Sequence, residues 1–309
     1  MFYQNRLKNG EDKMFKKLNM FVVILAATLL LSFNSVAQES EAPVKKITEM
    51  LYPTVMVDLG ENKGSGTIIF SGIRPHESWK KEKIWTLVLT NHHVISGAVS
   101  ITDEFDPKKG KNTQKETRRP VHIRLWDYND YSTAVGTTGR VARIVAWDKG
   151  RDFALLRLDD KERKMENVAV LWPENVGGPY LFQDVWTVGS GMGNPPYPTE
   201  GLLSGISGKD RQGRPLYLSS APIIFGNSGG SLWAYSEKRN KYEMIGVPSM
   251  VSGYGYGNIV SHIVWSRPIS EIREFLRENN FGFVLGDKDV PKENSKNKED
   301  KKDKEEEEE

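Results

Sequence analysis

The 309 residues contain no cysteine. That excludes a disulfide framework, thiolate zinc sites and a cysteine nucleophile, and it leaves the redox compartment unreadable from thiols. An excess of one charge is also missing, since 43 Lys and Arg stand against 41 Asp and Glu. No whole-chain field therefore points to nucleic acid or an anionic surface as the partner. The longest apolar run falls short of the roughly 20 residues that cross a bilayer as a helix. Strands do not alternate with helical periodicity, so a parallel α/β sheet is not expected.

What is present begins with a leader-like amino terminus. Lys13, Lys16 and Lys17 precede an apolar run over 20–33, followed by Ser35, Val36 and Ala37. This is the layout of a signal peptide, with cleavage expected after Ala37. Residues 1–37 would then be removed, leaving no membrane span and an exported chain, periplasmic or secreted. Without cleavage the same run would act as an anchor. Met14 or Met20 serves equally well as a start, because residues 1–12 add nothing that such a leader needs.

The apolar share of 38% is enough for a core, and a folded domain is expected over 44–285. A short helix is expected over 43–51, closed by Pro53. Short runs rich in Val, Ile, Leu, Thr and Trp follow at 55–59, 66–70, 84–90, 121–127 and 139–147. A second set occupies 153–158, 184–189, 202–207, 216–220, 231–235, 244–250 and 259–264. Gly, Pro, Asn and Asp punctuate them, which is the pattern of many-stranded β structure. The fold class expected is all-β, as two barrels of about six strands side by side.

A single late helix is expected over 269–278. Ile269, Ile272, Phe275 and Leu276 share one face, which should pack on the second barrel, and Ser270 is the expected cap. The polar, basic block 107–119 reads as a solvated loop inside the first barrel. Residues 286–309, almost wholly Lys, Glu, Asp and Asn, bury too little to order themselves and read as a disordered tail.

Nucleophilic hydrolysis requires a nucleophile, a base within reach of it and a group that orients the base. Gly226-Asn227-Ser228-Gly229-Gly230 sets a serine among glycines, where a tight turn can aim backbone N–H groups at one point. The N–H groups of Gly226 and Ser228 are the candidate oxyanion hole. Each such donor lowers an acyl-transfer barrier by about 3 to 4 kcal/mol. Of the five histidines, His76, His122 and His262 lie in polar or strand-interior settings. His92 and His93 end the apolar run 85–90, so one of them is the base. A metal at that pair is not expected, because consecutive residues project apart and no further ligands sit at ligand spacing. Asp152, just before the buried run 153–158, is the expected orienting carboxylate, while its competitor Asp148 reads as a turn residue.

In order and in flanking residues these segments resemble the trypsin-like serine peptidases, and within them the HtrA (Deg) branch. The histidine lies in Thr90-Asn91-His92-His93-Val94, which selects His93. The aspartate lies in Asp152-Phe153-Ala154-Leu155-Leu156, and the serine in Gly226-Asn227-Ser228-Gly229-Gly230. Gly64-Ser65-Gly66-Thr67, Val188-Gly189, Ser204-Gly205-Ile206-Ser207 and Ile245-Gly246-Val247 support the match. The resemblance spans residues 44–279. It implies a double six-stranded β-barrel, with His93, Asp152 and Ser228 as a triad in the cleft. The chain departs from the branch in a longer His93–Asp152 spacing, in Ser231 after the serine motif, and in having nothing after Leu285 suited to a PDZ domain.

The implied activity is endopeptidase cleavage of protein or peptide substrates through an acyl-enzyme, with no metal or organic cofactor required. By resemblance the primary pocket is walled by 222–225 and 246–250. Neither segment carries Asp or Glu, so small or medium aliphatic side chains are expected there. The readings from other classes are a catalytically silent peptide-binding protein and a surface adhesion or scaffold role carried by the basic block and acidic tail.

Overall fold

The computed structural model describes residues 43–74, 84–106, 110–159, 163–255 and 257–287. The leader 1–37 and the charged stretch 288–309 lie outside the described residues. Residues 43–46 are helical and Ile47–Leu51 forms a π-type turn, so the short helix expected over 43–51 is present.

Strands then follow in quick succession. The first closed barrel contains β1 (Thr54–Asp58), β2 (Lys63–Ile73), β3 (Ile84–Thr90), β6 (Val121–Tyr128), β7 (Ala134–Asp148) and β8 (Phe153–Leu158). They are ordered β1-β2-β3-β8-β7-β6. The second contains β9 (Asp184–Gly189), β10 (Tyr197–Lys209), β11 (Pro215–Ser219), β12 (Ser231–Ser236), β13 (Lys241–Tyr254) and β14 (Asn258–Pro268), ordered β10-β11-β14-β13-β12-β9. Every ladder that closes them is antiparallel. The expected all-β architecture of two six-stranded barrels therefore holds.

The core explains why 84–90 and 153–158 read as mainly apolar runs. Side chains alternate across a strand. Val88, Ala154, Leu156 and Leu158 fill the first barrel with Val55, Val57, Ile123 and Ile144. Their neighbours Leu87, Leu89, Phe153 and Leu155 point the other way, into a cluster with Val188, Leu232, Trp233 and Val247 of the second barrel. Strands β3 and β8 are thus buried on both faces over most of their length, so the polar residues they carry, Thr86, Thr90 and Arg157, do not alternate regularly along them.

The helix Ile269–Glu278 buries Ile269, Ile272, Phe275 and Leu276. It lies against β13 and β14 as expected. It also reaches the first barrel, where Phe275 packs on Phe153 with ring centroids 5.5 Å apart. Ser270 is not its cap: Pro268 holds that position, with no side-chain hydrogen bond to the first turn. Proline's fixed φ is already suited to a helix entry.

Of the block 107–119, residues 107–109 lie outside the described residues, and the rest is not a loop inside the barrel. Lys111–Arg118 forms β5, paired antiparallel with β4 (Val99–Asp106) in a separate two-stranded sheet. Its residues are nearly all exposed, so no apolar alternation marks it. The main-chain ladder and cross-strand pairs such as Lys115–Glu104, 3.0 Å apart, hold it instead. Trp147 Nε1 donates to Glu116 at 2.7 Å, and Arg118 Nη1 to the Ile144 carbonyl at 2.9 Å, which fixes the ribbon to β7.

At the base of the ribbon the Arg119 N–H donates to the Ala98 carbonyl at 2.8 Å, so the two chain ends are already adjacent. Replacing residues 99–118 by a short Gly-Ser turn should therefore leave a cooperatively folded protein. The expected fall in Tm is below about 4 °C, equivalent to about 1 kcal/mol in a domain of this size. Loss of a cooperative transition in calorimetry would contradict this placement.

Candidate active site

His93 and Asp152 meet because β3 and β8 are antiparallel partners, with Thr90 opposite Ala154. The chain leaving β3 passes Asn91 and turns into the short helix His92–Ile95, while Asp152 enters β8 from the other side. The His93 N–H donates to Asp152 Oδ1 at 2.9 Å, and His93 Nδ1 lies 2.8 Å from Oδ2. One carboxylate therefore grips both backbone and ring. The His93 side chain is 48% exposed and that of Asp152 20%, so the imidazole faces open space while its partner is sheltered.

Asp152 holds φ +60°, in the left-handed region that few non-glycine residues enter. That turn is held from two sides. Asn91 Nδ2 donates to the Asp152 carbonyl at 2.8 Å and to Ser249 Oγ at 2.9 Å, tying the two barrels together at this point. Beside it Arg151 spreads its guanidinium over the C-terminal helix, with Glu278 at 2.6 Å, Glu274 at 3.2 Å and Glu271 at 3.5 Å. Asp148 joins the same cluster 3.0 Å from Arg151, so the competing carboxylate orients an arginine and not the histidine. Burial pushes the Glu271 carboxyl up, against the pull of Arg151.

His92 points elsewhere. It is buried and stacks on Trp147, with centroids 5.0 Å apart and planes tilted by 35°. Burial holds its imidazole below the usual histidine range, against the pull of the Asp152 carboxylate. His92 is thus a core residue beside the site. Of the adjacent pair, His93 alone is bonded to Asp152 and exposed.

Ser228 lies in the glycine turn before β12. A Cβ on Gly229, at φ +82°, would collide with Thr90 Oγ1 and the Ser65 carbonyl and come within 2.9 Å of the Asn91 nitrogen. The turn is therefore pressed against the segment that carries His93. Gly226 has φ +94°, and a Cβ there would sit 2.7 Å from the Ser190 carbonyl. Only glycine fits either place.

Four successive carbonyls of this turn, from Phe225 to Ser228, are engaged. Phe225 accepts from the Met192 N–H at 2.7 Å, and Asn227 from Gly230 at 3.0 Å. Gly226 accepts from Ser65 Oγ at 2.6 Å, and Ser228 from the Ser65 N–H at 2.8 Å. The Asn227 and Gly229 N–H groups are used as well, on the carbonyls of Ile224 and Pro248. Those of Gly226 and Ser228 find no acceptor among the described residues. In a trans peptide the C=O and N–H point opposite ways. Anchoring the carbonyls of Phe225 and Asn227 therefore turns the free N–H groups outward, as an oxyanion hole requires. Ser228 Oγ makes no hydrogen bond among the described residues. Its link to a base is the one contact of the set that the geometry leaves open, a limb that often tightens only with substrate bound.

Sequence reasoning gave no positioning role to Ser249, Arg151 or Ser65, although Ser65 lay in the matched segment 64–67 and Ser249 in the expected pocket wall 246–250. Ser65 alone had a local signal, a serine between two glycines ahead of the apolar Ile68-Ile69-Phe70.

The comparisons with known proteins bear on the family and the fold. Residues 64–240 match the trypsin-like peptidase domain model, which is more than half of the chain. The chain belongs to the trypsin-like peptidase domain family. Among solved structures, that of Deg5 superposes with a TM-score of 0.50 at 19% identity, covering 76% of this chain and 92% of that one. An HtrA-type protease, AlgW with a tripeptide, gives a TM-score of 0.51 at 16% identity, covering 78% of this chain and 64% of that one. Identities this low establish a shared fold with the HtrA/Deg proteases and no more. No curated protein matches by sequence.

Two predictions follow from the side chains around the site. Because the folded pKa of His92 is lowered, the unfolded state binds more protons once the pH falls below about 6.5. Stability should be fully present above that pH and decline below it. In a Ser228→Ala background, the fall in Tm between pH 7.5 and pH 5 should shrink when His92→Phe is added; an unchanged fall would exclude His92 as its source. Arg151→Ala should destabilise the protein by about 1–3 kcal/mol in urea titration, since it strands the buried Glu271, and a change within error would contradict the clamp.

Proposed function

We propose that the protein is a serine endopeptidase acting on protein or peptide substrates, with His93, Asp152 and Ser228 as its triad. The observation that carries this is the His93–Asp152 pair beside a serine turn whose Gly226 and Ser228 N–H groups are the unengaged ones. Ser228 Oγ attacks the scissile carbonyl and gives its proton to His93. Charge on the carbonyl oxygen is met by the N–H groups of Gly226 and Ser228, and His93 then protonates the leaving amine. Asp152, bonded to Nδ1, holds the imidazole with Nε2 toward the serine and stabilises the imidazolium. Water, activated by the same histidine, releases the acyl-enzyme. This chemistry asks for no metal or organic cofactor.

The primary pocket is proposed between 222–225 and 246–250. Ile223 is buried, while Ile224 and Met250 are 38% and 41% exposed. With no carboxylate on either wall, the pocket suits small or medium aliphatic side chains better than Arg or Lys. The folded domain is proposed to span 44–285, behind a leader cleaved after Ala37 that directs export to the periplasm or beyond. Among the described residues no helix is long and apolar enough to cross a membrane. A silent peptide-binding protein is the alternative that the unbonded Ser228 Oγ favours.

Casein cleavage separates the two readings. The wild type should produce fragments, and Ser228→Ala or His93→Ala should lower the rate by at least about 10³-fold. Equal turnover by wild type and Ser228→Ala would refute the triad, and binding of casein without cleavage by the wild type would favour the silent protein.

A further inference from the structure

Ser65 occupies an unusual position for a side chain that never meets substrate. It is fully buried on β2 of the first barrel, yet its partners lie mostly in the second. Its N–H donates to the Ser228 carbonyl at 2.8 Å. Its Oγ donates to the Gly226 carbonyl at 2.6 Å and accepts from the Ser190 N–H at 2.7 Å. Its own carbonyl accepts from Thr90 Oγ1 at 2.7 Å, on the strand that leads to His93. A single residue therefore touches the backbone of the nucleophile turn on both sides of Asn227, the loop that follows β9, and β3.

We propose that Ser65 is a positioning residue for the oxyanion hole, acting through its hydroxyl on the Gly226–Asn227 peptide. The inference rests on the serine-peptidase reading of the same site. Gly226 has φ +94° and no side chain, so little in its own structure opposes rotation of the flanking peptides. The Phe225–Gly226 peptide is held at its carbonyl by Met192. The next peptide is held at its carbonyl by Ser65 Oγ and at its N–H by Ile224. Together these bonds keep the Gly226 N–H turned toward the position where charge develops. The Ser190 N–H gives the hydroxyl a fixed acceptor role, so its own proton is committed to Gly226. A water in its place would lack the tether to β2, and with it the link to the first barrel.

Removing the hydroxyl should misplace a donor that matters only when the carbonyl carries charge, so the loss should fall on kcat and not on KM. Steady-state cleavage of fluorescein-labelled casein tests this on the full chain. Ser65→Ala should lower kcat by about 10- to 100-fold with KM within about twofold of wild type. Ser65→Cys, which keeps a weaker donor, should recover part of the rate, and it carries the test alone if Ser65→Ala fails to fold. A peptide aldehyde, which adds to Ser228 as a tetrahedral oxyanion or its protonated form, should lose affinity for Ser65→Ala in parallel with kcat. Wild-type kcat in the folded variants, or a loss confined to KM, would overturn the role of Ser65 alone. Absence of Ser228-dependent cleavage by the wild type would instead overturn the underlying peptidase reading, and this inference with it.

Discussion

The antiparallel ladder between β3 and β8 is the constraint on which the site depends. It sets Thr90 opposite Ala154, and antiparallel pairing then places the exit of one strand beside the entry of the other. His93 follows the first strand by three positions and Asp152 immediately precedes the second, so their contact is a consequence of register. A slip of one residue would turn every side chain of either strand to its opposite face. Burial on both faces makes such a slip costly, since each strand contributes to two cores at once. The geometry of the His93–Asp152 pair is therefore protected by the packing of both cores.

Ser228, the proposed nucleophile, comes from the second barrel, and a different kind of interaction aligns it. Polar contacts cross the seam where packing alone would leave freedom: Asn91 to Ser249, Ser65 to Gly226 and Ser228, and Ser190 to Ser65. Each is buried in whole or in part, where an unmade hydrogen bond costs about 1–3 kcal/mol. Behind the cleft, Arg151 and Phe153 carry the same junction to the C-terminal helix through Glu278 and Phe275. The left-handed turn at Asp152 is thus held by Asn91 in front and by the helix behind. Strained conformations persist where surrounding structure over-determines them.

What was legible in the sequence divides along physical lines. Strands β3, β8 and β9 and the late helix match the expected spans residue for residue, because burial leaves a compositional mark on each. The β4–β5 ribbon left no such mark, since both of its faces meet water and main-chain pairing holds it. The ends of β7 and β10 extend beyond their apolar segments for the same reason. Within the candidate site, His93 and Asp152, chosen because the chemistry restricts residue types and the flanking motifs are local, do meet in the structure, and Ser228 lies in a turn pressed against the segment that leads to His93. The contacts that align them were not readable, because Ser249, Arg151 and Ser65 act across long separations in the chain and a serine or arginine has many ordinary uses. The choice between His92 and His93 rested on a motif; the structure adds a cause, since His92 is taken up by Trp147 and burial.

The central claim is that the two barrels assemble a reactive serine at position 228. Treating the folded, full-length protein with a fluorophosphonate and mapping the adduct by peptide mass spectrometry tests this without any knowledge of substrate. The account predicts a single phosphonylated residue, Ser228, and no adduct in His93→Ala. An unmodified folded protein, or a label carried by another serine, would contradict it.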